Sequence, residues 1–277
     1  MNIKYPSVYE AKEQIIEIGK RMYNKGHVVA NDGNISCKLD DDVVLATPTG
    51  VSKGYMTSDM FVKMRLDGSV ISKGSYEPSS EVKMHLRVYN ENPEIVAVCH
   101  AHPPVATSFS IAGIPLDKAI LNEGVVSIGT VPIARYATPG TLEVPDSIAP
   151  FCVEYNAVLL ANHGALTWGS SLMESFFRME TLEFYATIIM YTSNIIGKSN
   201  ELSCDQISRL LEIRENLGIK AGGVPQCSRV PTNTSDILPS CNNCGDCKTQ
   251  KDTNSTDSTL HDIIERTVAD VMKKMEK

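Results

Sequence analysis

The stretch EIVAVCHAHPP (residues 94–104) decides how the rest of this sequence is interpreted. Its apolar residues predict a buried strand, and the two prolines that follow predict where the strand ends. Side chains two residues apart on a strand point to the same face, so His100 and His102 can present two imidazoles to one ion. Alone, such a pair is more often structural, and further ligands have to come from elsewhere in the chain.

Two other residues can complete a metal site. His163 lies in ANHG, directly after another apolar run, and Glu81 opens a predicted helix in PSSE. Three histidines and one carboxylate can close a tetrahedral site for Zn²⁺, and a carboxylate that leaves when substrate arrives would open a position for catalysis. The alternatives are structural: Glu81 can complement a helix dipole or pair with His85, and His163 can shape a turn.

The composition excludes several classes of protein. The chain has 277 residues, of which 42% are hydrophobic, and a net charge of −7. No basic stripe is available to neutralise nucleic-acid phosphates. No apolar run reaches the roughly 20 residues of a membrane helix, and the N-terminus lacks the apolar stretch of a secretory signal. We therefore expect a cytoplasmic protein whose cysteines are thiols or metal ligands before disulfides.

The hydrophobic periodicity predicts alternating helices and strands, typical of an α/β or α+β layered domain. Predicted helices cover 7–25, 81–90, 171–196 and 203–217, and the third of these is apolar on most faces and expected to be well buried. Predicted strands lie in 43–47, 94–102, 126–136 and 156–169.

Three polar turns are candidate phosphate cradles. They are NDGNIS (31–36), TPTG (47–50) and GSYEPSSE (74–81), each with small residues, hydroxyls and backbone N–H groups free of strand pairing. Such turns and helix N-termini bind phosphate well, although each turn by itself is also typical of an ordinary surface loop.

The C-terminal part has a different character. Residues 1–221 form the predicted domain, whereas 222–258 are rich in polar residues, proline and glycine and are predicted to be a flexible linker. Residues 259–277 show one apolar helical stripe, which predicts a helix that docks on another protein or packs back on its own domain. Four cysteines in the linker could bind zinc or an iron–sulfur cluster, or remain unstructured thiols: Cys227, Cys241, Cys244 and Cys247.

Five motifs in order carry a resemblance to a known family. Together they resemble the zinc-dependent class II aldolases, which include L-fuculose-1-phosphate aldolase, L-rhamnulose-1-phosphate aldolase and L-ribulose-5-phosphate 4-epimerase. The resemblance covers roughly residues 7–220. The motifs are GN-x-S (33–36), TPTG (47–50), PSSE (78–81), H-x-H (100–102) and NHG (162–164).

The resemblance implies a three-layer sandwich around a largely antiparallel sheet, and a homotetramer with active sites between subunits. It implies one Zn²⁺ per subunit bound by His100, His102, His163 and Glu81, with Glu81 also acting as acid and base; other divalent ions suit the same ligands. The implied phosphate loops contain Gly33, Asn34, Thr49, Gly50, Ser79 and Ser80.

The implied reaction is aldol cleavage of a deoxyketose 1-phosphate, L-fuculose or L-rhamnulose 1-phosphate, to dihydroxyacetone phosphate and L-lactaldehyde. A carboxylate takes the hydroxyl proton, and a Lewis acid stabilises the enediolate that remains. A glutamate at position 81 favours the aldolases over the epimerase, which carries aspartate there. The alternatives are an epimerase or decarboxylase on the same scaffold, or a non-catalytic shell-binding protein.

Two departures from the fuculose-phosphate aldolase pattern concern tyrosines. That pattern has a tyrosine at each of the two positions where this chain has Ala119 and Leu217. The residue that gives a proton to the leaving enolate is therefore left open, with Glu123 and Tyr136 as possible substitutes.

The apolar stripe of residues 259–277 is similar to encapsulation peptides, so the resemblance extends to the aldolase of a fucose/rhamnose-type bacterial microcompartment. Its partners would be shell proteins.

Overall fold

The computed structural model describes residues 3–225, and the structural statements below concern those residues. An eight-stranded sheet has the order β4-β3-β2-β1-β5-β8-β7-β6, and every neighbouring pair is antiparallel except β6 and β7. The strands are β1 Asn34–Lys38, β2 Val43–Ala46, β3 Val62–Arg65, β4 Val70–Ser72, β5 Ala97–Ala101, β6 Ile133–Ala134, β7 Ala157–Leu160 and β8 Gly164–Gly169.

Six α-helices accompany the sheet within the described residues. They are α1 Val8–Asn24, α2 Val82–Glu91, α3 Pro104–Ala112, α4 Glu143–Ile148, α5 Leu172–Met190 and α6 Cys204–Asn216. Ser7 begins α1 with a capping box, in which its hydroxyl accepts from the N–H of Glu10 and the Glu10 carboxylate accepts from the N–H of Ser7.

Alternating side chains of the central strands supply two separate cores, one on each face of the sheet. Ile35 and Leu45 belong to the core that includes residues of α1, α3 and α5. Val44 and Trp168 belong to the core that includes residues of α2 and α4. Because successive strand residues point to opposite faces, this division makes three layers. The predicted three-layer, largely antiparallel sandwich is confirmed.

The secondary structure predicted for two segments, 126–136 and 31–36, differs from the structure. Residues 126–136 were expected to be a strand, yet Gly124–Ile128 form a short wide helical turn and only Ile133–Ala134 pair in the sheet. Val125 packs there in a small cluster with Ile207 of α6. In the predicted turn 31–36, the strand already begins at Asn34, because its backbone pairs with β5.

The helix predicted over 171–196 is present as α5 and a further helical turn, Tyr191–Ile196. Its burial was overestimated, because Phe177, Phe184 and Tyr191 are 48%, 56% and 46% exposed. A helix with apolar residues on most of its faces therefore does not have all of those faces buried within one chain.

The chain continues to pack on the domain slightly past residue 221. The Gly222 N–H donates to Glu154 O, the Thr130 N–H donates to Gly222 O, and Arg214 donates to Gly223 O. The predicted linker beyond residue 225, its cysteines Cys227, Cys241, Cys244 and Cys247, and the predicted helix 259–277 lie outside the described residues.

Within residues 3–225, no helix combines the length and apolarity that crossing a membrane requires. Three cysteines in this range, Cys37, Cys99 and Cys152, are buried free thiols.

Candidate active site

The four residues predicted as metal ligands converge although they come from three separate parts of the chain. Nε2 of His163 lies 3.0 Å from Oε1 of Glu81, and Nε2 of His100 lies 3.5 Å from Oε2 of the same carboxylate. Nε2 of His102 lies 3.1 Å from Nε2 of His100. One ligand atom from each histidine falls within 4.8 Å of the others, so one ion could contact all three.

The sheet places the first two histidines. His100 is paired with Asn34 of β1 on one side and with Leu166 of β8 on the other, and it is fully buried. His102 follows the end of β5, where its N–H donates to His27 O at 2.9 Å. Pro104 then begins α3, where a missing N–H costs nothing.

The NHG motif forms the tight connection between β7 and β8. Asn162 has a left-handed φ of 58°, a conformation that asparagine tolerates better than most residues. A Cβ on Gly164 would lie 2.5 Å from Ala101 O and 2.6 Å from Cδ2 of His102. Only glycine lets β8 pass this close to the H-x-H segment, and this brings His163 beside the other two histidines.

Glu81 immediately precedes α2, and its side chain is directed to the histidines. It makes no capping bond to the helix, and the expected alternative partner, His85, bonds through Nδ1 to Ser36 Oγ at 2.8 Å. Instead, Nδ2 of Asn34 donates to Oε2 of Glu81 at 2.6 Å. The alternative pairing with His85 is therefore not formed, and the Glu81 side chain bonds to Asn34 instead of capping its own helix.

Second partners orient the imidazoles. Nδ1 of His100 lies 2.9 Å from Ala165 O, which can only accept, so this nitrogen carries the ring proton and Nε2 keeps its lone pair. Nδ1 of His102 lies 3.5 Å from Oδ2 of Asp32. Carboxylate or carbonyl partners of this kind are typical of metal-binding histidines. Asp32 was not among the predicted site residues, although it stands next to Gly33 in the NDGNIS turn.

The electrostatics suit neutral imidazoles and an ionised carboxylate. Burial lowers the pKa of His100 to about 3, against the opposing charge of Glu81. Burial also lowers the pKa of His102, and the neighbouring His163 adds to that effect. Burial alone would raise the pKa of Glu81, but His100, His163 and the Asn34 amide outweigh it and hold that pKa well below its ordinary value. Neutral imidazole and carboxylate are the forms that bind a cation.

This donor set fits a divalent cation. It offers imidazole nitrogens and a carboxylate oxygen, and three of the distances between these atoms are 3.0–3.5 Å; second partners are already in place for His100 and His102. Nδ1 of His163 is the exception, since it is buried without a hydrogen-bond partner among residues 3–225. Imidazole and carboxylate suit zinc and several other divalent ions.

The three predicted phosphate loops lie side by side next to Glu81. Pro48 forms a bridge with Pro78, and the Thr49 N–H donates to Glu77 O at 2.9 Å, which joins the TPTG turn to the PSSE loop. The Asn34 amide lies 3.5 Å from Ser79 Oγ, which joins the first loop to the third.

The six predicted loop residues lie in these three loops, and of their side chains the Asn34 amide bonds to the carboxylate: Gly33, Asn34, Thr49, Gly50, Ser79 and Ser80. Their contact with a phosphate stays a prediction.

A buried polar network lies beneath the site. Ser36 Oγ is 2.8 Å from Nδ1 of His85 and 2.7 Å from the Tyr89 hydroxyl. Burial lowers the pKa of His85 to about 3, so the ring is neutral at physiological pH. The contact between Ser36 and His85 joins β1 to α2, as the contact between Asn34 and Glu81 joins the start of β1 to the start of α2. It lies two residues further along the strand and four residues, about one turn, further along the helix. The network therefore fixes the register of the helix that carries Glu81 against the strand.

The two residues that stand in place of the family tyrosines, Ala119 and Leu217, have no side-chain proton to donate. Ala119 is buried in the small cluster with Val125. Leu217 and Tyr136 are both exposed. Glu123 lies beside the helical turn that starts at Gly124. The proton donor stays an open prediction.

Comparison with protein families gives one match over most of the described chain. The family described as "Class II Aldolase and Adducin N-terminal domain" matches residues 13–190.

Two kinds of relative are similar to this chain. A 3-oxo-tetronate 4-phosphate decarboxylase from Pectobacterium atrosepticum is 33% identical over 74% of this chain and 94% of the relative. An L-fuculose phosphate aldolase from Methanococcus maripaludis is 31% identical over 66% of this chain and 97% of the relative. The crystal structure of YgbL from Klebsiella pneumoniae has a TM-score of 0.69 at 31% identity, covering 74% of this chain and 99% of YgbL.

Proposed function

This chain belongs to the class II aldolase and adducin N-terminal domain family, and from that premise we propose that it is a zinc-dependent lyase. Its proposed reaction is the cleavage of a deoxyketose 1-phosphate, L-fuculose or L-rhamnulose 1-phosphate, to dihydroxyacetone phosphate and L-lactaldehyde. The observation that carries the proposal is the convergence of Glu81 on the His100 and His163 imidazoles at 3.0–3.5 Å, beside three adjoining loops.

The proposed roles of the residues follow from this arrangement. Backbone N–H groups of the three loops bind the phosphate and hold the reacting carbons in place. The Glu81 carboxylate, steadied by Asn34, takes the proton from the C4 hydroxyl. The C3–C4 bond then breaks, its electron pair moves toward C2, and the aldehyde leaves. When bound by His100, His102 and His163, a divalent cation supplies Lewis-acid stabilisation of the resulting enediolate charge.

Decarboxylation is the second candidate, because relatives of 32–34% identity are 3-oxo-tetronate 4-phosphate decarboxylases. Loss of the carboxyl group from such a 3-oxo acid leaves a three-carbon enediolate that carries a phosphate. Cleavage of L-fuculose 1-phosphate leaves the same enediolate, that of dihydroxyacetone phosphate. The two reactions differ in one requirement: retro-aldol cleavage needs a base for a hydroxyl proton, whereas a carboxylate that leaves as CO₂ does not.

One assay separates the two candidates. The metal-loaded protein receives L-fuculose 1-phosphate, L-rhamnulose 1-phosphate or 3-oxo-tetronate 4-phosphate, and dihydroxyacetone phosphate is measured by coupled reduction with NADH. The co-product, aldehyde or CO₂, then identifies the reaction. Release from L-fuculose or L-rhamnulose 1-phosphate that a chelator abolishes is the expected result. Release from the oxo acid alone would replace aldol cleavage by decarboxylation, and no release from any substrate would overturn both.

We also propose that the protein assembles as a homotetramer. Phe177, Phe184 and Tyr191 are spaced seven residues apart, so they lie along one side of the α5 segment, and all three are about half exposed. Exposed aromatic side chains aligned on one side of a helix are typical of an interface. Sedimentation equilibrium should give a mass of four subunits, and a monomer at micromolar concentration would contradict the proposal.

The proposed location is a bacterial microcompartment, with shell proteins as partners of residues 259–277. The support is the sequence pattern alone: an apolar stripe behind a long polar segment, attached to a chain of this family. Enclosure would retain a reactive aldehyde such as L-lactaldehyde.

A further inference from the structure

Lys53 is a buried cation whose ammonium group bonds to two backbone carbonyls, and it lies between two of the loops assigned to phosphate. It is 1% exposed and begins a short helical turn, Lys53–Tyr55, just after the TPTG loop. Its Nζ donates to Asn31 O at 2.9 Å and to Val51 O at 2.6 Å. Among residues 3–225 it forms no ion pair with a carboxylate.

The two carbonyl partners tie the loops together. Asn31 stands two residues before Gly33, and Val51 directly follows Gly50. Two hydrogen bonds leave one of the three ammonium donors unused. The neighbouring Ser52 hydroxyl is also buried, with no hydrogen-bond partner in the described part of the chain. Two unused donors therefore lie at the junction of the two loops.

Burying an ammonium group without an anion is costly. Burial accordingly lowers the pKa of Lys53 to about 8, although Asp32 and Glu81 oppose the shift. Helix α1 packs against this turn through Gly19 and Tyr23. The cost would be offset by an anion that arrives with a ligand.

We propose that Lys53 is the buried counter-charge for the phosphate group of the substrate, and a positioning residue that holds the first two phosphate loops together. This inference rests on the proposed function, because it takes the ligand to be a phosphate monoester. Lys53 attracts the dianion through space and through the loop backbone, and no covalent step is involved.

The test compares two buried lysines in the full-length, metal-loaded protein. Lys53→Met removes the charge but keeps most of the stem. Lys38→Met is the matched control, since Lys38 is 3% exposed and donates to the Pro93 carbonyl, at the end of β1 away from Asn34. Titration calorimetry with inorganic phosphate measures Kd without requiring turnover, so the result does not depend on whether the lyase reaction is correct.

We expect Lys53→Met to weaken phosphate binding at least about tenfold, and Lys53→Arg, which keeps the charge, to restore most of it. Lys38→Met should bind phosphate as the wild type does. With a substrate that turns over, Lys53→Met should raise KM more than it lowers kcat. Unchanged phosphate affinity in Lys53→Met, or an equal loss in Lys38→Met, would overturn the proposal.

A measurement on the wild type decides the matter if Lys53→Met does not fold. Burial lowers the pKa of Lys53 to about 8, so the titrations are run in several buffers at a series of pH values that spans it. Phosphate is mostly a dianion in this range, so its binding should draw a proton onto Lys53 wherever the free amine is partly neutral. The binding heat should then depend on the ionisation enthalpy of the buffer in the direction of proton uptake. Binding without proton uptake at every pH of the series would overturn the proposal.

Discussion

Nδ2 of Asn34 donates a hydrogen bond of 2.6 Å to Oε2 of Glu81, and this contact joins the first loop motif to the third. Asn34 also pairs across the sheet with His100, so one residue is linked to both the carboxylate and a histidine. The carboxylate is therefore aimed by the sheet rather than by its own helix. This explains why a glutamate placed just before α2 can serve a site built on strand ends.

Asn34→Ala should release Glu81 from that orientation. We expect turnover to fall about 10–100-fold while metal content falls little, because all three imidazoles and the carboxylate remain. Turnover and metal content of the purified variant are the measurements. Asn156→Ala is the control, since Asn156 is equally buried but donates to Ala221 O. Equal turnover in Asn34→Ala and wild type would show that the contact is not needed.

Glu81→Gln should distinguish the two candidate reactions. The amide keeps the shape of the side chain but cannot take a proton, so aldol cleavage should fall by about 10²-fold or more. Decarboxylation should suffer much less, because it requires no proton abstraction. The rates with L-fuculose 1-phosphate and with 3-oxo-tetronate 4-phosphate are compared at equal metal content. Unchanged aldol cleavage would remove Glu81 from the mechanism.

The sequence allowed the convergence of the three histidines and Glu81 to be predicted, because each of these residues lies in a short local motif. Asp32 and Lys53 were missed for a different reason: their partners, His102 Nδ1 and two backbone carbonyls, are defined only by the folded loops. Helix α3 was missed because paired prolines were interpreted as a strand end, although they also begin a helix. The exposure of Phe184 was missed because an apolar helical pattern does not show whether every apolar face is covered by the rest of the chain.

Metal removal should destabilise the protein as well as inactivate it. A cation at about 100 times its Kd adds about 2.7 kcal/mol to the free energy of unfolding, which for a domain of this size raises Tm by about 5–10 °C. Scanning calorimetry before and after dialysis against a chelator measures the shift. His163→Ala should lose most of it, whereas an identical shift in that variant would exclude His163 as a ligand.

Glu183 should stabilise α3, which follows the H-x-H segment directly. Its carboxylate accepts from the N–H of Val105 at 3.0 Å and of Ala106 at 2.8 Å. Glu183→Ala should therefore cost about 1 kcal/mol in urea unfolding. Glu180→Ala, one turn earlier on α5, removes partly exposed ion pairs and should cost less. A larger loss in the Glu180 variant would contradict this capping role.

Glu183 should also make the free energy of unfolding depend on pH. Burial raises the pKa of Glu183 above its ordinary value, and the two N–H donors only partly oppose it. The folded state then holds this proton more tightly than the unfolded state, so the contribution of Glu183 to stability declines as pH rises through the folded pKa. Glu183→Gln should remove that decline and cost less than Glu183→Ala at neutral pH. An identical pH profile for Glu183→Gln and wild type would assign the decline to other groups.

Truncation should separate the folded domain from its proposed shell-binding segment, provided that the shortened chain keeps the residues that pack at Gly222. A chain ending at Pro225 keeps the backbone bonds of Gly222 to Glu154 and Thr130, and the bond from Arg214 to Gly223. It should keep full activity in solution and lose co-sedimentation with shells. A chain ending at Ala221 loses these bonds and should unfold at lower urea concentration. Equal shell association of the Pro225 truncation and the full chain would refute a docking role for 259–277, and equal stability of the two truncations would show that the Gly222 contacts contribute nothing.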